Sequence, residues 1–186
     1  MAVGLLNEGI NEVIATTVGN AAPIGIHFRE GKASMILFHG SHTAANIERD
    51  GRVVANIIYD PVLYVKTAFG DLPATAFTEE PVKGGIVHRL SAADAWAAFT
   101  TRIEHKSKDT MVVSLTLEKE IIEQAGIHPV NRGFNSIIDA TVHATRYIMT
   151  RDPELKKIIG YHVSIIRKCG GKRELEALGL LQGYIG

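Results

Sequence analysis

Apolar residues alternate with polar ones through much of the first two thirds of the chain and shift to helical spacing after Gln124. Asn11–Val18 (NEVIATTV) is rich in β-branched residues and ends at Gly19-Asn20, which predicts a first strand followed by a turn. Ile24–Phe28 and Ser34–His39 predict two more strands around a turn at Glu30-Gly31-Lys32, giving an antiparallel meander. A short helix from His42 to Asp50 closes at Gly51, and Arg52–Tyr59 (RVVANIIY) reads as a fourth strand with one amide, Asn56, in an apolar run. Asp60-Pro61 supplies an N-cap and a proline at the first helical position for Val62–Phe69. Further on, Ala74–Thr78 and Ile86–Leu90 are candidate strands. The alternation of Phe99, Thr101 and Ile103 favours a hairpin that turns at Lys106–Asp109 into Thr110–Glu118.

The C-terminal third is different in texture. Asn131 caps an expected helix over Arg132–Thr150, with Phe134, Ile137, Ile138 and Val142 on or near one face. Asp152-Pro153-Glu154 starts another through Lys168, and Arg173–Leu181 makes a last short one. The organisation expected is therefore a β-domain over residues 1–124 and a helical elaboration over residues 125–186 packed on it.

Composition narrows the classes. With 186 residues and 46% hydrophobic content the chain is long enough for one full-sized core. Its 20 basic and 20 acidic residues balance, which argues against a protein that coats nucleic acid, since that needs surplus cations. One cysteine, Cys169, excludes an intramolecular disulfide and a Cys-based zinc site and fits a reducing interior. No apolar run reaches membrane-spanning length, and Met1–Glu8 lacks the form of a signal peptide. A cytoplasmic protein with neither nucleic-acid nor membrane partners is the expectation.

Two stretches carry candidate chemistry. Gly40-Ser41-His42-Thr43 is an elbow between a strand and a helix N-terminus, where free N–H groups and hydroxyls suit an anion, and Asn46 lies on nearly the same helix face as Thr43. A plain helix cap at Ser41 or Thr43 accounts for the same residues equally well. Ala22-Pro23-Ile24-Gly25 interrupts a strand with proline and glycine, which places it at an edge or against something flat that comes close to its backbone. His39 and His42, with His27 nearby, have the look of metal ligands, but no third ligand or supporting carboxylate is supplied, so no metal site is assigned. Nucleophile-elbow, phosphate-loop and dinucleotide-fingerprint motifs are absent from the sequence.

The succession NEVIATTV, AAPIGI, ILFHGSHTAANI, VVANIIYDP resembles the FMN-binding split barrels of flavin reductase type, and within them the archaeal domain-of-unknown-function family numbered 447. Asn131-Arg132-Gly133 at the start of the long helix is similar to that family too. The resemblance implies a Greek-key antiparallel split β-barrel with a C-terminal helical layer, and FMN as cofactor. It places the isoalloxazine ring against the first two strands, beside Thr16, Thr17 and the backbone of Ala22, Pro23, Ile24 and Gly25. The phosphate is implied at Ser41, His42, Thr43 and Asn46, with Asn56 facing the same cleft and Arg132 completing the site from the helical layer, where a guanidinium matches phosphate oxygens.

The resemblance further implies a homodimer, since such barrels build their flavin cleft between subunits. The activity implied is a flavin-dependent redox reaction that passes hydride or electrons between a small-molecule donor and acceptor, with no side chain required as acid or base. Two rivals stand beside it: a non-catalytic flavin carrier or sensor using the same pocket, and a scaffold holding another phosphorylated ligand or none.

Overall fold

Residues 4–186 are described by a computed structural model. They form two units. The first comprises the chain up to Ile58 together with Leu72–Gly126, and the second Tyr59–Asp71 with Ile127–Gly186.

In the first unit, β1 (Gly9–Thr17), β2 (Asn20–Arg29) and β3 (Lys32–Phe38) form the expected meander. Helix α1 (His42–Asp50) and β4 (Arg52–Ile57) follow, and the long hairpin β7 (Ala95–Lys106) and β8 (Thr110–Ile122) completes a closed barrel of order β1-β2-β3-β8-β7-β4. All its pairings are antiparallel, and two register shifts, at Ala98/Phe99 and Ile103/His105, give the hairpin the extra bend that closure demands. Alternation sets the faces: Val13, Ala15, Ile26, Phe28, Met35, Leu37, Phe99 and Met111 fill the barrel interior, while α1 seals one end with Ala44 and Ile47.

Proline in β2 has a structural reason. Pro23 lies opposite Ile14 of β1, but β2 meets β3 only from Ile26 to Arg29. The first half of β2 thus has an open edge, where a missing N–H costs no ladder bond.

Between β4 and β7 the chain departs from the expectation of a strand at Ala74–Thr78. Ala74–Ala76 is a turn of 3-10 helix after Pro73, and β5 (Phe77–Val82) begins one residue later and runs through Pro81. It pairs only with β6 (Gly85–Leu90), so its other edge tolerates the proline. This hairpin lies over the outside of the barrel: Val87 packs with Val54, Trp96 and Ala98 in a second small core. Trp96 is fully buried and donates from Nε1 to Glu123 at 2.9 Å.

The second unit is helical: α2 (Pro61–Phe69), α3 (Arg132–Thr150), α4 (Pro153–Cys169) and α5 (Lys172–Ile185). Asp60, Asn131 and Asp152 cap the first three through their carboxylate or amide oxygens. Their apolar stripes meet around Val65, Ile137, Ala140, Ala144, Ile166 and Leu181. Arg173 on α5 grips the Asp60 carboxylate with two bonds of 2.6 and 3.1 Å. Helix α2 thus belongs with the C-terminal helices, although the first-unit segment Leu72–Gly126 separates it from them in sequence. No helix among the described residues is long and apolar enough to cross a membrane.

Candidate functional site

The elbow forms where the pattern placed it. Ser41 is the N-cap of α1: its Oγ accepts from the Ala44 N–H at 3.2 Å and donates to the Phe38 carbonyl at 2.9 Å. One of the helix's orphan donors is thereby satisfied, which leaves the His42 and Thr43 N–H groups as the open end of the helix dipole. His42 is exposed and Ser41 half-buried, so this end faces solvent.

Thr43 and Asn46 are turned to the barrel. Thr43 is buried, and its hydroxyl accepts from Asn20 Nδ2 at 2.9 Å. Asn46 Nδ2 donates to Thr17 Oγ1 at 2.8 Å and to the Val18 carbonyl at 3.1 Å. Two amides, one from each side, therefore stitch α1 to the turn between β1 and β2. These bonds hold the elbow against the turn that leads into β2.

Thr16 and Asn56 do something different. Both are fully buried on the outer barrel face, beneath the β5–β6 hairpin. The Thr16 hydroxyl donates to the His88 carbonyl at 2.6 Å and accepts from Asn56 Nδ2 at 2.9 Å. Asn56 also donates to the Ile14 carbonyl at 2.8 Å and accepts the Leu90 N–H at 2.7 Å. The pair clamps β6 to β1 and β4, and its polar groups are engaged in that clamp. Gly25 has its own local reason: a Cβ there would lie 2.9 Å from Ile10 Cγ2 and 3.3 Å from Glu12 Oε1. Ile24 packs against the barrel interior, while Ala22, Pro23 and Gly25 stay half-buried.

Of the histidines, His39 Nε2 lies 3.0 Å from the Ser107 carbonyl in the β7–β8 turn. Among the described residues no group of three metal-ligating side chains is arranged to hold an ion. Arg132 is the exposed first residue of α3 and belongs to the second unit.

A cleft of about 290 Å³ opens in the first unit beside Thr17, lined by Thr16, Thr17, Arg52, Val54, Val87 and His88 among others. Sequence reasoning passed over Arg52 and His88. The signal for Arg52 is the pair Gly84-Gly85, whose missing side chains leave room for its guanidinium.

In the second unit, Tyr59 is sandwiched between the rings of His128 and Phe134 at 4.2 Å on each side. Burial, followed by the Glu174 carboxylate, pushes its phenol pKa up. His143 and His162 stack across α3 and α4 at 5.9 Å, and each has a buried Nδ1 without a hydrogen-bond partner.

A closed six-stranded antiparallel barrel with a strand-to-helix elbow at one end defines the class: these are the marks of the split barrel of flavin reductase type. The chain belongs to the family described as "Protein of unknown function (DUF447)", whose N-terminal domain matches residues 11–124 and whose second domain matches residues 131–183. The crystal structure of the FMN-bound protein MM1853 from Methanosarcina mazei, of the same family, is 33% identical to it. That likeness covers 96% of both chains with a TM-score of 0.91. The uncharacterized protein MJ1453 of Methanocaldococcus jannaschii is 26% identical over 179 residues, which is 88% of this chain and 91% of that one. A 2-nitrobenzoate 2-nitroreductase from Pseudomonas fluorescens, 18% identical, shares the fold at a TM-score of 0.50 over 64% of this chain and 68% of its own.

Proposed function

We propose that this protein binds FMN on its barrel unit and works as a cytoplasmic, homodimeric oxidoreductase, passing hydride or electrons between a small-molecule reductant and a small acceptor. The observation that carries the reading is the likeness over nearly the whole chain to a family member solved with FMN bound. The residues present fit that group. The open N-terminus of α1, with the N–H groups of His42 and Thr43 beyond the Ser41 cap, is suited to a phosphate. The open edge of β2 at Ala22–Gly25 offers backbone groups to a flat ring.

Asn46 and Thr43 act one step back. Their bonds to Thr17 and Asn20 fix the separation between phosphate seat and ring edge. Thr16 and Asn56 support the wall behind it. Bound FMN supplies the redox chemistry, and the protein's part is to orient it and shield it from water. Ile10, Ile36 and Phe38 leave 57%, 50% and 66% of their surface exposed on the barrel's outside, apolar surface that a partner subunit would cover.

The test is a titration of flavin-stripped protein with FMN and riboflavin, followed by anaerobic mixing with NADH, NADPH or a reduced deazaflavin. FMN binding much tighter than riboflavin binding, with reduction by a donor and reoxidation by an acceptor, is expected. Tight FMN binding without turnover would make the protein a carrier or sensor. No FMN binding would overturn the flavin reading altogether.

A further inference from the structure

The guanidinium of Arg52 lines the cleft beside Thr17 and forms a long ion pair with Glu118. Its Nε is fully buried and has no hydrogen-bond partner; the nearest carboxylate oxygen, Oε2 of Glu118, lies 3.5 Å away and is equally without one. Of the five N–H donors of the group, one meets the Lys83 carbonyl at a long 3.4 Å. Leaving donors unmet in a partly buried site is costly, so such a group is expected to serve something.

The turn of the β5–β6 hairpin is shaped to admit it. A Cβ on Gly84 would lie 2.8 Å from Nη2 and one on Gly85 3.4 Å from Nη1, and both glycines have positive φ, +96° and +155°. Asp50, at the same cleft, is already taken by Arg49 at 2.6 Å. Val54, Ile86 and Val87 give an apolar part to a wall that Thr16, Thr17 and His88 also line. A space of about 290 Å³ lies at the low end for ligand pockets, which run roughly from 300 to 1,000 Å³, and suits a small molecule better than a whole flavin nucleotide.

We infer that this cleft is the seat of a small anionic ligand, an apolar body bearing one carboxylate or phosphate, with Arg52 as the residue that grips the anion. Arg52 is then a specificity-determining residue. Because Thr17, which Asn46 ties to the elbow assigned to the flavin phosphate, also lines this cleft, the ligand is the redox acceptor. That last assignment rests on the flavin reading; the anion seat does not.

Trp96 gives the readout, since it is the chain's one tryptophan and packs with Val54 and Val87 of the cleft wall. The full-length protein, with and without FMN, is titrated with benzoate and with its uncharged analogue benzamide, by Trp96 fluorescence and calorimetry. Benzoate should bind about 10- to 100-fold more tightly than benzamide, the ratio expected for a charge-assisted hydrogen-bonded pair. Arg52→Gln should erase the preference and Arg52→Lys restore part of it. If Arg52→Gln unfolds the chain by stranding Glu118, the double variant with Glu118→Gln serves in its place.

Equal binding of the two probes to the wild type, or a preference that survives Arg52→Gln, overturns the inference. Weakened FMN binding in Arg52→Gln with riboflavin binding unchanged makes the anion the flavin's own phosphate and overturns the acceptor assignment. Arg52-dependent benzoate binding by a protein that takes no FMN upholds the anion seat while the flavin reading falls.

Discussion

Replacing Asn56 by alanine tests whether the clamp between β4 and the β5–β6 hairpin is structural. The side chain makes three short bonds in a fully buried site: to the Ile14 carbonyl at 2.8 Å, to Thr16 Oγ1 at 2.9 Å and from the Leu90 N–H at 2.7 Å. Alanine leaves the Leu90 N–H and the Ile14 carbonyl short of a partner, at about 1–3 kcal/mol for a stranded buried group, and opens a small void. A loss of about 3 kcal/mol is expected, equivalent to a fall in Tm of about 6–12 °C for a chain of 186 residues. Urea unfolding of the flavin-free protein measures it. The same variant should shift Trp96 emission to the red, because the hairpin that covers Trp96 through Val87 loses its anchor. A variant that keeps wild-type stability and emission but loses FMN affinity would refute the clamp and return Asn56 to the cofactor.

Three further outcomes follow from the same geometry. Ser41→Ala removes the α1 cap and should cost about 1 kcal/mol in urea unfolding, and, where FMN binds at this elbow, should weaken FMN more than riboflavin in parallel titrations. Gly133→Ala, although alanine favours helix by about 1 kcal/mol, should destabilise the helical unit on balance, because the added Cβ would lie 2.6 Å from Gly170 Cα, a backbone atom that cannot swing away; a raised Tm would contradict it. The His143 pKa is lowered, chiefly by burial, then by His162 and Arg146, with Asp139 opposing. A histidine depressed in the folded state binds fewer protons there than in the unfolded chain. Stability is therefore full above the ordinary histidine range near 6.5 and falls as pH drops below it, and His143→Gln should flatten that slope in denaturation curves taken from pH 7.5 to 5.

The chain's local punctuation was legible in its residues. Ser41 before α1, Asp60-Pro61 before α2, Asn131 before α3 and Asp152-Pro153 before α4 each act within three or four positions, so a window of sequence suffices to place them. The meander turn at Glu30-Gly31, where φ is +50° and +73°, and the change from alternation to helical spacing are equally local. So was the elbow, and the resemblance of its surroundings to flavin-binding barrels was enough to point to the family whose two domains match residues 11–124 and 131–183.

What became of individual polar groups was decided elsewhere. Thr16 finds His88 across 72 positions and Asn56 finds Leu90 across 34, and only the folding of the β5–β6 hairpin over the barrel turns two candidate cofactor contacts into a clamp. Only the fold shows that Gly25 lies against Ile10 and Glu12, and that Gly84-Gly85 lies against Arg52. The grouping of α2 with the C-terminal helices has the same origin. Sequence determined the elements, their caps and the family of the barrel, because propensity and capping act over a few residues. Tertiary structure alone decided which donors are spent, which glycines make space and which carboxylate a cation meets, because a buried group's partner is set by the strand or turn that packs against it.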